Sequence, residues 1–338
     1  MNKKRVLAML LAGAMALSMT ACGGNSASTD DSSNDGGASA SGGSYKDSVI
    51  LKTLAAEYWQ YVKSGAEDYA SEHSDKVTVE VKGPSSETAF DEMQNMIETD
   101  LSSGSYDGVI ISPLQSDTAA QLVSGTKLPI VAIDTNFTAP EVKSFVGTGN
   151  EAAAKKGGEA AVEAAKAAGW TDIKCIEIAG VQGDQTNTAR MNGYKAGVEE
   201  AGGTFLSDEV QYADATADRA TTAMEAIMQT HPEGIAIICA NNDDMAMAAA
   251  RAAQGHDAYK NTIFLGFNGD RAACEAILAG QMTMSVAQMA YEMGYKAVET
   301  MVQVLDGETV DEFVDSGSDV VTPDNAQERL DTLKTQLH

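Results

Sequence analysis

Two doubly wound parallel-sheet lobes, an α/β architecture, are the fold this sequence predicts. Two observations carry the prediction. From residue 48 onward, short runs rich in Ile and Val, bounded by turn residues, alternate with longer amphipathic stretches. That is the pattern of a parallel sheet covered by helices on both faces. The chain is also 338 residues long and holds two such series, which suits two lobes better than one sheet. A barrel needs eight evenly spaced units, and they do not emerge.

In order, the strands are placed at 49–54, 77–81, 108–111 and 129–133, then at 173–178, 234–239 and 263–267. Helices are placed between them at 57–71, 88–102, 151–168, 189–201, 217–229 and 243–253, where the pattern is helix-like. Ahead of these, Met1 to Arg5 carries three positive charges, Val6 to Leu17 is apolar, and small residues lead to Cys22. This is an export signal over residues 1–21, too short to span a bilayer. Cys22 after small residues resembles the lipobox of bacterial lipoproteins, which implies an acylated thiol and an N-terminal lipid anchor. Residues 22–45 are almost all Gly, Ser, Asp, Asn, Ala and Thr, and are read as a disordered tether.

Composition removes several function classes. Lys and Arg number 23 against 49 Asp and Glu, a net charge of -26. Such acidity disfavours nucleic acid and adsorption to an anionic membrane, which both need clustered cations. Four cysteines and four histidines are too scattered for a disulfide scaffold or a structural zinc site. Cys175, Cys239 and Cys274 are read as buried free thiols. No metal and no cofactor is expected.

In open parallel sheets, ligands bind beyond the carboxyl ends of the strands. Those positions hold Glu57, Tyr58 and Trp59, then Asp134 and Thr135, in the first series. In the second they hold the run 180–187 leading to Thr188 and Arg190, then Asn241, Asn242, Asp243 and Asp244, then Asn268, and Gln288. Aromatics with carboxylate, amide and guanidinium groups suit a polyhydroxylated molecule, because ring faces cover C–H surface while polar groups exchange hydrogen bonds with hydroxyls. Each residue also has a plainer role: core packing for Tyr58 and Trp59, a turn for Asn268-Gly269, an ion pair for Arg190. Asp243 and Asp244 are expected to cap a helix. Gly147 to Ala152 fits a loose dinucleotide pattern but lacks a strong preceding strand and a correctly placed acid. No nucleophile–base–orienter set can be assembled, so no enzyme activity is expected.

The motifs Asp107 to Pro113, Pro129 to Asp134, Arg190 to Tyr194, Ala240 to Ala246, Gly266 to Gly269 and Val286 to Gln288 occur together and in order. In this the chain resembles the type I periplasmic sugar-binding proteins from about Ser48 to Val321. The resemblance implies two lobes joined by a three-crossing hinge, residues 46–149 plus 289–317 and residues 150–288 plus 318–338. It implies closure on a sugar or polyol and delivery to the permease of an ABC importer. By the resemblance Tyr58, Trp59 and Asp134 are ligand contacts on one side, Arg190, Asn242 and Asn268 face them from the second lobe, and Gln288 is a contact near the hinge. Glu57, Thr135 and Thr188 stand where the family carries other residues. Thr135 replaces an arginine of the ribose binders, Asn268 an aspartate, and Thr188 falls where the ligand arginine is usual. A pentose, hexose or polyol other than ribose is therefore expected. A monomer on the outer face of the cytoplasmic membrane of a Gram-positive bacterium completes the expectation. The alternative is a sensor that presents a sugar or signalling furanone to a membrane receptor or histidine kinase.

Overall fold

The computed structural model describes residues 44–337. The expected leader, Cys22 and the expected tether up to residue 43 lie outside the described residues. Tyr45, assigned to that tether, instead opens the first strand.

The first sheet contains β1 (Tyr45–Ile50), β2 (Val77–Lys82), β3 (Gly108–Ile111), β4 (Ile130–Ile133), β5 (Val142–Gly147) and β12 (Phe313–Asp315), all paired in parallel, in the order β12-β5-β4-β3-β1-β2. Its helices are α1 (Glu57–Glu72), α2 (Phe90–Ser103), α3 (Ser116–Val123) and α9 (Ala290–Leu305). The second sheet runs β13-β11-β10-β9-β6-β7, with β8 also on β6. Its strands are β6 (Lys174–Ala179), β7 (Thr204–Phe205), β8 (Gln211–Tyr212), β9 (Ile237–Ala240), β10 (Ile263–Asn268), β11 (Met284–Gln288) and β13 (Ser318–Val321). Only β13 is antiparallel among these pairings. Around it lie α4 (Asn150–Ala167), α5 (Gln185–Glu200), α6 (Ala217–Thr230), α7 (Asp243–Ala253), α8 (Arg271–Leu278) and α10 (Ala326–Gln336).

The chain passes between the sheets three times: from β5 to α4, from β11 to α9, and from β12 to β13. Strand order reverses at β1 in the first sheet and at β6 in the second, so each lobe has a switch point where a ligand crevice forms. Strands β3, β4 and β9 are buried along their whole length, as expected of strands covered on both faces.

One strand is misplaced by the sequence reading. β1 covers 45–50, not 49–54, because Asp47 and Ser48 are buried within it and Ser48 donates to Asp100 at 2.5 Å. A strand that hides polar residues does not announce itself as an apolar run. The shift matters, because Lys52 leaves the sheet and enters the loop above it.

Helices α1 and α9 approach backbone to backbone. A Cβ on Gly65 would sit inside the Tyr291 carbonyl, and one on Gly294 inside that of Val62. Gly294→Ala is therefore expected to cost about 1–3 kcal/mol by overpacking. At roughly 2–4 °C per kcal/mol, the thermal midpoint falls by several degrees. An unchanged midpoint would contradict the contact.

Candidate functional site

Asp134 follows β4 directly and lies in the left-handed region at φ 62°, uncommon for a residue with a Cβ. Its backbone N–H donates to Val146 at 2.9 Å, which holds the turn against β5. The carboxylate is 6% exposed and must find donors. Tyr58 supplies its hydroxyl to Oδ1 at 2.8 Å, Thr135 its hydroxyl to Oδ2 at 2.8 Å, and Lys52 Nζ stands 3.8 Å from Oδ2. Burial, then the Asp134 charge, pushes the Tyr58 phenol well above its ordinary value, so it stays a donor. A carboxylate has about four acceptor positions, so lone pairs remain for further hydroxyls.

Tyr58 and Trp59 occupy the first turn of α1 and meet edge to face, with centroids 5.0 Å apart at 83°. The indole N–H donates to Glu87 at 2.8 Å, which fixes the ring. Both aromatics also belong to the core, so packing and site are the same contact here.

In the second lobe, Arg190 is 7% exposed on α5. Its Nε donates to Asn150 Oδ1 at 2.8 Å and Nη1 to the Asn241 carbonyl at 2.9 Å, while the guanidinium lies 3.8 Å over the Phe267 ring. Asn150 opens α4, so the segment that mimics a dinucleotide motif is a lobe crossing that braces Arg190. Asn268 is held at φ 134° and accepts from Gln288 Nε2 at 2.9 Å. Beneath it, buried Asp243 accepts from Gly269 N at 2.8 Å, Asp270 N at 3.2 Å and Ser285 Oγ at 2.6 Å.

The lobes touch at named points. Thr135 Oγ1 lies 3.5 Å from Thr186 Oγ1, and Glu57 pairs with Arg271 at 3.2 Å. Tyr58 also senses the Arg190 charge. Tyr58, Asp134 and Thr135 thus face the α5 end that carries Arg190, with Trp59 edge to face on Tyr58, while Gln288 and Asn268 form one bonded unit.

Three expected contacts are engaged elsewhere. Asn242 caps α7, accepting from Met245 N at 2.9 Å and donating to the Ala215 carbonyl at 3.1 Å. Thr188 is exposed and donates back to the Asp184 carbonyl in its own helix. Glu57 is taken up by Arg271 and by the Tyr61 hydroxyl. The capping expected of Asp243 and Asp244 is corrected: Asn242 caps, Asp243 is buried under the Asn268 turn, and Asp244 is exposed. Lys52, Glu87 and Asn150 were missed. For Lys52 the signal was present, a lone cation in an apolar run. For the other two, only tertiary structure brings them near.

The family model described as periplasmic binding protein domain matches residues 48–309. The D-allose-binding periplasmic protein of Escherichia coli is 30% identical over 265 residues, 75% of this chain and 83% of that protein. The ribose import binding protein of Bacillus subtilis is 26% identical over 268 residues, 78% of this chain and 83% of that protein. Among solved structures, a solute binding protein from Mycobacterium smegmatis with bound glycerol matches at TM-score 0.72 and 25% identity, covering 85% of this chain and 96% of its own. One from Bacillus halodurans with bound myo-inositol matches at TM-score 0.75 and 22% identity, covering 87% and 99%.

Below Arg190, burial pushes the Glu177 carboxyl up to about 8, against the pull of Asn241 and Arg190. Between its ordinary value near 4.5 and about 8, the folded state binds the proton and the unfolded state does not. Stability therefore falls as pH rises through that window, by roughly 1.4 kcal/mol per unit at most. Glu177→Gln removes this slope, so denaturant unfolding should find it little changed at pH 5 and more stable than wild type at pH 8. Parallel pH profiles for the two proteins would refute the buried neutral acid.

Proposed function

The chain belongs to the periplasmic binding protein domain family, and on that premise we propose that it captures a monosaccharide or polyol between its lobes and delivers it to an ABC importer. The observation that carries this reading is the buried Asp134 carboxylate, held by Tyr58, Thr135 and Lys52 with acceptor positions to spare, beside the Tyr58–Trp59 pair. The curated relatives quoted above are named for D-allose and ribose, which gives the class of cargo.

In this reading the lobes are residues 45–149 with 289–317, and residues 150–288 with 318–338. Tyr58 and Trp59 offer apolar ring surface, and Asp134, Thr135 and Lys52 take the hydroxyls on one side. Arg190, Asn268 and Gln288 complete the shell from the other. Closure excludes water, and the ligand favours the closed form only by contacts it gains there. The protein binds and releases its cargo unchanged and works as a monomer. Micromolar capture corresponds to about -8 kcal/mol.

We further infer a lipid anchor at Cys22 that holds the protein on the outer face of the cytoplasmic membrane, as in Gram-positive bacteria. The support is the basic start, apolar run and small residues ahead of that cysteine. Cys22→Ser should move the protein from the membrane fraction to the medium. Retention on membranes would remove the anchor.

Asp134→Ala strands the Tyr58 hydroxyl and Lys52 together with the ligand hydroxyls, a cost of at least about 1–3 kcal/mol. Titration calorimetry with D-allose and D-ribose should show a complex weaker by at least about fivefold. Binding as tight as wild type would displace the site from Asp134.

A further inference from the structure

The C-terminal helix α10 sends one arginine into the second half of the site. Arg329 Nη2 donates to the Gln288 carbonyl at 2.7 Å and Nε to the Gly269 carbonyl at 3.1 Å, while Nη1 lies 3.3 Å from the Met289 sulfur. Those carbonyls belong to the segments that carry Gln288 and Asn268, whose side chains bond each other at 2.9 Å. A closed ring thus runs from Arg329 through Gly269, Asn268 and Gln288 and back. Guanidinium suits this position, because its planar fork holds two acceptors in fixed relation and an ammonium does not.

The backbone here needs such a hold. Asn268 sits at φ 134° and Gly269 at φ 64°, and Met289 is where the chain leaves β11 for α9 in the other lobe. Helix α10 is itself well anchored. Asn325 accepts from Thr322 N at 2.7 Å and donates to the Val320 carbonyl at 3.0 Å, and Leu330 and Leu333 are buried. It lies beyond residues 48–309, the stretch matched by the family model.

Resting on the sugar-binding reading above, we propose that Arg329 is a positioning residue for the ligand. It fixes the backbone at 269 and 288 so that the Asn268 and Gln288 amides meet the bound molecule in one arrangement. The cross-lobe crossing at Met289 is held by the same side chain, so binding and hinge geometry are joined there.

The test titrates D-allose and D-ribose into wild type, Asp134→Ala, Arg329→Met, Arg329→Lys, Gln288→Ala and the Arg329→Met/Gln288→Ala double variant. A ligand-free melting curve accompanies each. Arg329→Met should weaken binding about tenfold and Arg329→Lys less, with cooperative melting retained. In the Gln288→Ala background, Arg329→Met should cost less than half as much on a logarithmic scale, because its effect passes through Gln288. Unchanged affinity in folded Arg329→Met overturns the proposal, as does an undiminished cost in the Gln288→Ala background. Loss of cooperative melting in both single Arg329 variants also overturns it, since the side chain would then be supporting the lobe rather than the ligand. Asp134→Ala separates the levels. If it binds like wild type, the site reading has failed and takes this proposal with it. If it loses binding while Arg329→Met keeps it, only the proposal fails.

Discussion

A carboxylate buried at the end of a parallel strand must be surrounded by donors, and Asp134 imposes that demand on the first lobe. Its left-handed backbone turns the side chain off the end of β4, and the Val146 carbonyl holds the turn. The donors come from three separate places: Tyr58 on α1, Thr135 next door, and Lys52 in the loop above β1. Each has to be delivered by the fold, so α1 must begin where it does and β1 must end at Ile50. The acceptor capacity left over is what a polyhydroxylated ligand can use. Local strain of this sort, of order 1–3 kcal/mol, persists only where the surroundings fix it.

The second lobe meets the same problem with neutral groups. Asn268 and Gln288 satisfy each other, and Asp243 grips the turn beneath them through backbone N–H groups. Burial pushes Asp243 up to about 6 and Glu177 up to about 8, so this lobe shelters acids whose charged forms are disfavoured. Arg190 is the cation that faces the site, and it is braced on Asn150, the Asn241 carbonyl and Phe267. The direct cross-lobe bonds named here are modest. Glu57 and Arg271 are 30% and 48% exposed, and such a pair is worth at most about 1 kcal/mol.

Legibility in the sequence followed the physics. Strands β3, β4, β9 and β10 are buried and apolar, so their runs and the polar residues at their carboxyl ends could be read directly. Asp134 directly follows β4 and Asn268 ends β10, so both stood out there. β1 was misread because it buries Asp47 and Ser48, and Lys52 was lost with it. β7 and β8 are two residues each, below any periodicity. An amide after a strand fits a site and a helix cap equally well, and in the structure the Asn242 side chain accepts from Met245 N. The bracing by Asn150, and that by Arg329 from the far end of the chain, joins residues too distant in sequence for spacing to connect.

The most direct test is a crystal structure of the protein with whichever of D-allose or D-ribose binds more tightly. The account places one sugar ring against Tyr58 and Trp59, with hydroxyl oxygens within about 2.6–3.2 Å of the Asp134 carboxylate and of donors on the Arg190 side. A sugar bound to one lobe only, or seated away from Asp134, would contradict it.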